Sequence, residues 1–262
     1  MKYRLAKPFL FLIAFILIVG LACSVQLTDD PEPEVEPEGP SAPAEEVASP
    51  VPPPPTDIPA PVAQEFYTEE FSGDTSMWTY FLIDANQATP IFVEEDFGTM
   101  YVGTEDERLV FNLESEGQWP YATYNAFEYE DVRIDVVAEN RGVNNNNVSL
   151  ICRHTDAGWY EFNIANNGLY WVYYAEMLDN GKIVYHELNN GGSNKIKMGK
   201  EQNEYSIICQ GTNLSLYING NETKSFSESR FAIRSGKIGV GVASFATLPV
   251  NVEIHSVTIS QP

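Results

Sequence analysis

The chain has 262 residues, 44% of them hydrophobic and 12% aromatic, enough apolar material for one well-packed domain with accessory segments. Its formal net charge of −22 removes nucleic acid and anionic lipid headgroups from the partners of that domain, because both need clustered Lys and Arg. The same acidity describes a solvated surface and names no ligand.

The first residues have the order of a targeting segment. Lys2, Arg4 and Lys7 form a positive start, and Phe9 to Ala22 is a continuous apolar run broken only by Gly20. That run is shorter than the ~20 residues of a comfortable membrane span. Small Ala22 then precedes Cys23. The run Val19-Gly20-Leu21-Ala22-Cys23 resembles the lipobox of bacterial lipoproteins, with Gly20 where Leu or Val is commonest. The resemblance implies that residues 1–22 are a signal peptide, that Cys23 is the lipidated mature N-terminus, and that the protein is extracytoplasmic and held to a bacterial membrane. An uncleaved signal anchor with an incidental Cys is the competing reading.

Residues 23–64 are low in complexity. Pro31, Pro33, Pro37, Pro40, Pro43, Pro50, the run Pro52 to Pro55, Pro59 and Pro61 alternate with Glu32, Glu34, Glu36, Glu38, Glu45 and Glu46. Aromatics are absent, so the segment cannot bury enough apolar surface to offset the entropy of ordering. Polyproline II preference and like-charge repulsion predict a disordered, extended tether, reaching on the order of 120 Å at ~3.1 Å per residue. A docking peptide for proline-binding grooves is the rival.

Residues 65–262 read as one all-β domain. Pro becomes rare, and short alternating runs recur between Gly, Asn and Asp turns with no sustained helical period. The predicted strands are Arg108 to Leu113, Val132 to Val136, Val148 to His154, Trp159 to Ile164, Leu169 to Tyr174 and Lys182 to Leu188. Tyr205 to Gln210, Leu214 to Ile218, Lys237 to Val242 and Val250 to Ile259 complete the series. Val132, Ile134 and Val136 should point inward, with Arg133 and Asp135 outward. Asn167-Gly168, Asp179-Asn180-Gly181 and Asn219-Gly220-Asn221 supply hairpin turns. Many short strands at this spacing predict two packed antiparallel sheets.

The passage Leu214-Ser-Leu-Tyr-Ile-Asn-Gly220, then Phe231, Ser235-Gly-Lys-Ile-Gly-Val-Gly241 and Val250-Asn-Val-Glu-Ile-His-Ser-Val-Thr-Ile259 resembles concanavalin A-like jelly-roll domains. It is similar to laminin-G-like modules and to the 3-keto-disaccharide hydrolase-like domain of bacterial lipoproteins. Glu70-Phe71-Ser72 followed by Trp78 matches how such domains open. The resemblance implies a two-sheet antiparallel jelly-roll sandwich, and such folds host many functions.

Cys152 and Cys209 each sit mid-strand, and an extracytoplasmic domain permits a disulfide between them; two buried free thiols are the alternative. Metal binding is not indicated, since no Cys-x-x-Cys spacing exists and His154, His186 and His255 are scattered. No cofactor is expected, and nothing points to Ca2+.

Jelly-roll glycosidases place carboxylates at alternate positions of one strand, about 5–5.5 Å apart for a retaining mechanism. The nearest pattern here is Glu128-Tyr-Glu130-Asp131 followed by Asp135, and Arg133 between the aspartates suggests a solvated charge ladder. No Gly-x-Ser-x-Gly, phosphate loop or dinucleotide fingerprint occurs.

The aromatic cluster is the candidate ligand surface. If Tyr160, Phe162, Ile164, Tyr170, Val172 and Tyr174 face the core, then Trp159, Trp171 and Tyr173 face out, where rings stack on sugars and Asn163, Glu161 and Arg153 supply hydrogen bonds. A two-residue Asn167-Gly168 turn would instead pair Trp171 with Ile164. Then either the loop is one residue longer, or Trp171 and Tyr173 are core while Tyr170 and Tyr174 face out. Packing on both faces is the plainer reading. The function expected is a noncatalytic module for carbohydrate, a possible glycan partner, on a surface-anchored lipoprotein. A hydrolase of modified sugars and an adhesive envelope protein are the alternatives.

Overall fold

The computed structural model describes residues 62–87, 89–93 and 100–262. Cys23, the signal segment and all of the tether before Val62 lie outside them. No helix among the described residues is long and apolar enough to cross a membrane.

The domain is an all-β jelly-roll sandwich of two antiparallel sheets. Sheet A runs β14 (Asn221–Ser227), β13 (Asn213–Ile218), β12 (Gln202–Gln210), β7 (Val132–Asn140), β16 (Val250–Ser260), β5 (Arg108–Leu113) and β4 (Met100–Glu105), with β1 (Tyr67–Glu69) also paired to β16. Sheet B runs β11 (Ile183–Gly192), β10 (Leu169–Met177), β9 (Gly158–Ala165), β8 (Asn146–Thr155), β15 (Gly236–Ser244), β6 (Gln118–Tyr129), β2 (Trp78–Asp84) and β3 (Ile91–Val93). Val132, Ile134 and Val136 enter the core between the sheets as their alternation predicts, facing Leu150, Phe162, Val240 and others from sheet B. A Cys152–Cys209 disulfide, spanning 57 residues of sequence, ties β8 of sheet B to β12 of sheet A.

Turn chemistry sets the register of the hairpins. Asn219 and Gly220 both have positive φ, and Ile218 pairs with Asn221, so this is the two-residue turn the sequence suggests. The Asn167-Gly168 turn is one residue longer. β9 ends at Ala165 and β10 starts at Leu169, leaving Asn166, Asn167 and Gly168 in the loop, with Gly168 at φ 95° donating to Ala165 O at 3.1 Å. Tyr170 therefore pairs with Ile164, Trp171 with Asn163 and Tyr173 with Glu161. That choice sends Tyr170, Val172 and Tyr174 into the core, and Trp171 and Tyr173 to the other face.

The twelve-residue β6 escapes a periodicity reading because both of its faces are covered over most of its length. It also contains Pro120, which pairs with Leu82 of β2 but lies one residue beyond the last position paired to β15, Tyr121 with Gly241.

Sheet B curls on itself. Flat, β6 and β11 would stand roughly 24 Å apart, five strand spacings. Yet the hydroxyls of Tyr121 on β6 and Tyr185 on β11 are 3.5 Å apart, and Trp119 packs edge-on to Tyr185 with ring centres 5.6 Å apart. The two edges of the sheet meet through an isolated bridge between Ile91 and Lys182, with Phe92 N–H donating to Gly181 O at 2.9 Å and Ile183 N–H to Pro90 O at 2.8 Å. The face of sheet B turned away from sheet A thus encloses a second small core of Phe81, Ile83, Tyr121, Ile151, Trp159, Ala175 and Ile183.

Candidate functional site

Strand alternation aims Trp159, Glu161 and Asn163 of β9 into this curl. Cross-strand pairing lines up Tyr121, Gly241, Ser149, Asn163, Trp171 and Asn190 in one row across six strands. The next row sets Glu161 beside Ile151 and Tyr173, with Glu187 beyond.

The glycines of β15 make the arrangement possible. A Cβ on Gly241 would stand 2.5 Å from Tyr121 Cδ1, and one on Gly239 would stand 2.5 Å from Ala122 O and 3.1 Å from Ile151 Cδ1. Without those side chains the Tyr121 ring lies across β15 and reaches Glu161 on β9.

Glu161 is 1% exposed and accepts from four side chains. Tyr121 Oη donates at 3.0 and 2.9 Å to its two oxygens, Ser149 Oγ at 2.8 Å, Trp159 Nε1 at 3.0 Å and Asn163 Nδ2 at 3.1 Å. No ion pair to Glu161 occurs among the described residues. Burial raises its pKa above the usual carboxylate range, and the four donors only partly offset that. Beside it, His154 stacks on Phe81 and packs against Trp159, each at 5.2 Å between ring centres. Burial pushes the imidazole down to about 4, so it is neutral near pH 7.

Around this sealed centre the aromatics surface. Trp171, Tyr173, Trp119 and Tyr185 are each half-buried, as is Asn163. Asn163 Oδ1 and Trp119 Nε1, both shielded from solvent, have no hydrogen-bond partner among the described residues. Trp171 stands between Asn163 and Asn190 in register, and Asn190 Nδ2 donates to exposed Glu187. One flat ring flanked by amides and a carboxylate is a surface suited to a hydroxyl-rich ligand.

The structure distributes the sequence-nominated residues unevenly. Trp171, Tyr173 and Asn163 share this face. Trp159 shares it too but is fully buried beneath its neighbours. Tyr170 lies on the opposite face, in the core, because the three-residue loop turns it inward. Arg153 lies off the site altogether. It sits at an irregularity of β8 with φ 55°, and its guanidinium donates to Glu130 O, Gly211 O and Ile233 O, stitching three connections together. The Asp131, Arg133 and Asp135 ladder is likewise structural: Arg133 pairs with Asp135, and Asp131 accepts from Gly211 N–H at 2.8 Å. Tyr121, Trp119, Ser149 and Tyr185 were invisible to local sequence reading. Their one clue is the pair Gly239 and Gly241, which marks a close approach over β15.

No protein-family model matches the chain, and no curated protein matches it in sequence. Its fold is similar to that of solved structures at low identity. A glycoside hydrolase family 16 endo-glucanase from Bacteroides ovatus is 12% identical, with 74% of this chain and 99% of that one covered and a TM-score of 0.53. A β-glucanase from Bacillus licheniformis is 14% identical over 77% and 100%, TM-score 0.51. The VIP36 exoplasmic/lumenal domain, solved with Ca2+ and Man3GlcNAc, is 11% identical over 74% and 88%, TM-score 0.51. These likenesses define the class of the domain, a concanavalin A-like jelly roll.

Proposed function

We propose that this protein is a surface lipoprotein, anchored through Cys23, whose jelly-roll domain binds carbohydrate without cleaving it. The sugar stacks on Trp171 and Tyr173, with Trp119 at the rim and Asn163 and Asn190 as hydrogen-bonding partners. The observation that carries this reading is the contrast on one face of sheet B. Trp171 and Tyr173 are half-buried there beside the amides of Asn163 and exposed Asn190, while the central carboxylate, Glu161, is 1% exposed with both oxygens occupied by donors. A hydrolytic acid has to reach the glycosidic oxygen, and a retaining pair needs a second carboxylate about 5–5.5 Å away. Glu187, the next carboxylate of that row, is two strands off, roughly 10 Å along the sheet. Solved neighbours of the same fold act on glucans or carry a bound mannose-type glycan by their own descriptions, which supports the same ligand class.

Glycan-array screening of the chain, followed by calorimetric titration with the best oligosaccharide, tests the binding half. Saturable binding without release of shorter sugars is expected; shortened products would establish a hydrolase instead. Fractionation of cells fed a labelled fatty acid tests the anchor. Cys23→Ser should lose the label and leave the membrane fraction or persist as a precursor, and a labelled mutant would refute lipidation there.

A further inference from the structure

A second polar constellation lies on sheet A, on the face turned away from the core, and takes no part in the proposed sugar site. Glu139 of β7 and Glu253 of β16 stand directly opposite each other. His255 follows at a bulge of β16, where Ile254 pairs with Ala138 and Ser256 with Val137, so that no residue of β7 opposes it. Bulges re-aim side chains in this way. The ring leans back over the two carboxylates. His255 Nε2 is 3.1 Å from Glu139 Oε2 and 3.9 Å from Glu253 Oε2, and one ligand atom from each of the three residues lies within 4.8 Å of the others.

Two further features distinguish this from an ordinary surface ion-pair network. His255 Nε2 is itself shielded from solvent, and its 3.1 Å approach to Glu139 Oε2 is the shortest polar contact recorded for it among the described residues. Ligand atoms sharing a metal at ~2.0–2.2 Å from each sit roughly 3–3.5 Å apart; the His255–Glu139 separation of 3.1 Å falls in that range, and the His255–Glu253 separation of 3.9 Å would close by an inward shift of Glu253. The far oxygens are meanwhile held by Arg141, through Nη1 to Glu139 Oε1 at 2.6 Å and Nε to Glu253 Oε1 at 3.5 Å. That outer contact orients both carboxylates with their second oxygens toward the imidazole.

We propose that Glu139, Glu253 and His255 form a site for a divalent transition-metal ion, Zn2+, clamping β7 to β16. One imidazole nitrogen and two carboxylate oxygens suit this ion, with water completing the shell. Arg108 competes for it. Its Nη1 holds Glu253 Oε2 at 2.9 Å, and its side chain is partly exposed, so metal entry exchanges that guanidinium into solvent.

Titration of ZnCl2 into the full chain, followed by calorimetry, tests the site. One equivalent should bind. His255→Ala should weaken binding about tenfold or more, whereas Arg108→Gln should tighten it by removing the competing cation. His186→Ala, which removes the separate His186–Glu176 pair, should leave the affinity unchanged. In the wild-type chain, where folding is not in question, Zn2+ should shift the imidazole 15N signals of His255 and of no other histidine. Absence of stoichiometric binding, an affinity indifferent to His255→Ala, or a shift at His154 or His186 instead overturns the site. An Arg108→Gln chain that binds no more tightly overturns the exchange.

Discussion

The phenol of Tyr121 on β6 reaches across Gly241 of β15 and donates to both carboxylate oxygens of Glu161 on β9, at 3.0 and 2.9 Å. The two residues are 40 apart in sequence and come from strands separated by two others in the sheet. This contact fixes the floor of the curl, with Trp171, Tyr173, Trp119 and Tyr185 half-buried around it.

Because burial raises the Glu161 pKa, the folded chain holds that proton to higher pH than the unfolded chain does. Its contribution to stability is therefore full below the unfolded carboxylate value of about 4.3 and falls as pH climbs from there through the raised folded value. Glu161→Gln removes that slope. Urea midpoints measured from pH 4 to pH 8 should decline more, or rise less, with pH in the wild type than in the variant. Parallel curves would show that Glu161 titrates normally.

Gly241→Ala should destabilise the domain by about 1–3 kcal/mol, since the added methyl meets Tyr121 Cδ1 at 2.5 Å and Pro120 O at 2.9 Å. Gly181→Ala provides a contrast: nothing lies within 4 Å of its Cβ, and only its φ of 75° opposes the change. Thermal melts with near-ultraviolet dichroism would separate loss of ring packing at Gly241 from simple turn strain at Gly181.

Loss of the Cys152–Cys209 bond should cost about 2–4 kcal/mol, because it closes a long loop and joins the two sheets through the core. The Cys152→Ala, Cys209→Ala double variant should unfold at lower urea concentration and shift the midpoint no further when a reductant is added. A midpoint equal to that of the oxidised wild type would contradict the staple.

Trp171→Ala should weaken glycan binding at least tenfold, about 1.4 kcal/mol, with little change in melting temperature, as the ring is half-buried on the outer face of β10. Tyr170→Ala should do the reverse, since that ring fills the core between the sheets. Equal effects of the two substitutions on binding would remove Trp171 from the ligand surface.

Much of the architecture was legible locally. Nine of the ten strands read from the sequence lie within strands of the structure, and the tenth, Lys182 to Leu188, starts one residue before β11; in β5, β7 and β16 burial follows a period of two. β2 and β6 were not read from the sequence: neither alternates strictly, and β6 carries Pro120 in its interior. The short edge pieces β1, β3 and β4 and the polar β14 bury too little to leave a pattern.

The candidate site divides along the same line. Trp171, Tyr173 and Asn163 were nominated by their own strand, and Arg153 and Tyr170 were nominated by it wrongly. One irregularity in β8 and one additional loop residue decided where those two point, and neither is written in an alternating pattern.

By itself, then, the sequence determined an all-β sandwich, its main strands, and an aromatic hairpin around an Asn-Gly turn. These follow from local chemistry: side-chain period, positive-φ turns and apolar content. Only the tertiary structure decided that sheet B closes through Ile91 and Lys182, that Tyr121 reaches Glu161, and which rings remain open. Those outcomes depend on twist accumulated over eight strands and on contacts between residues far apart in the chain, and no window of neighbouring residues contains that information.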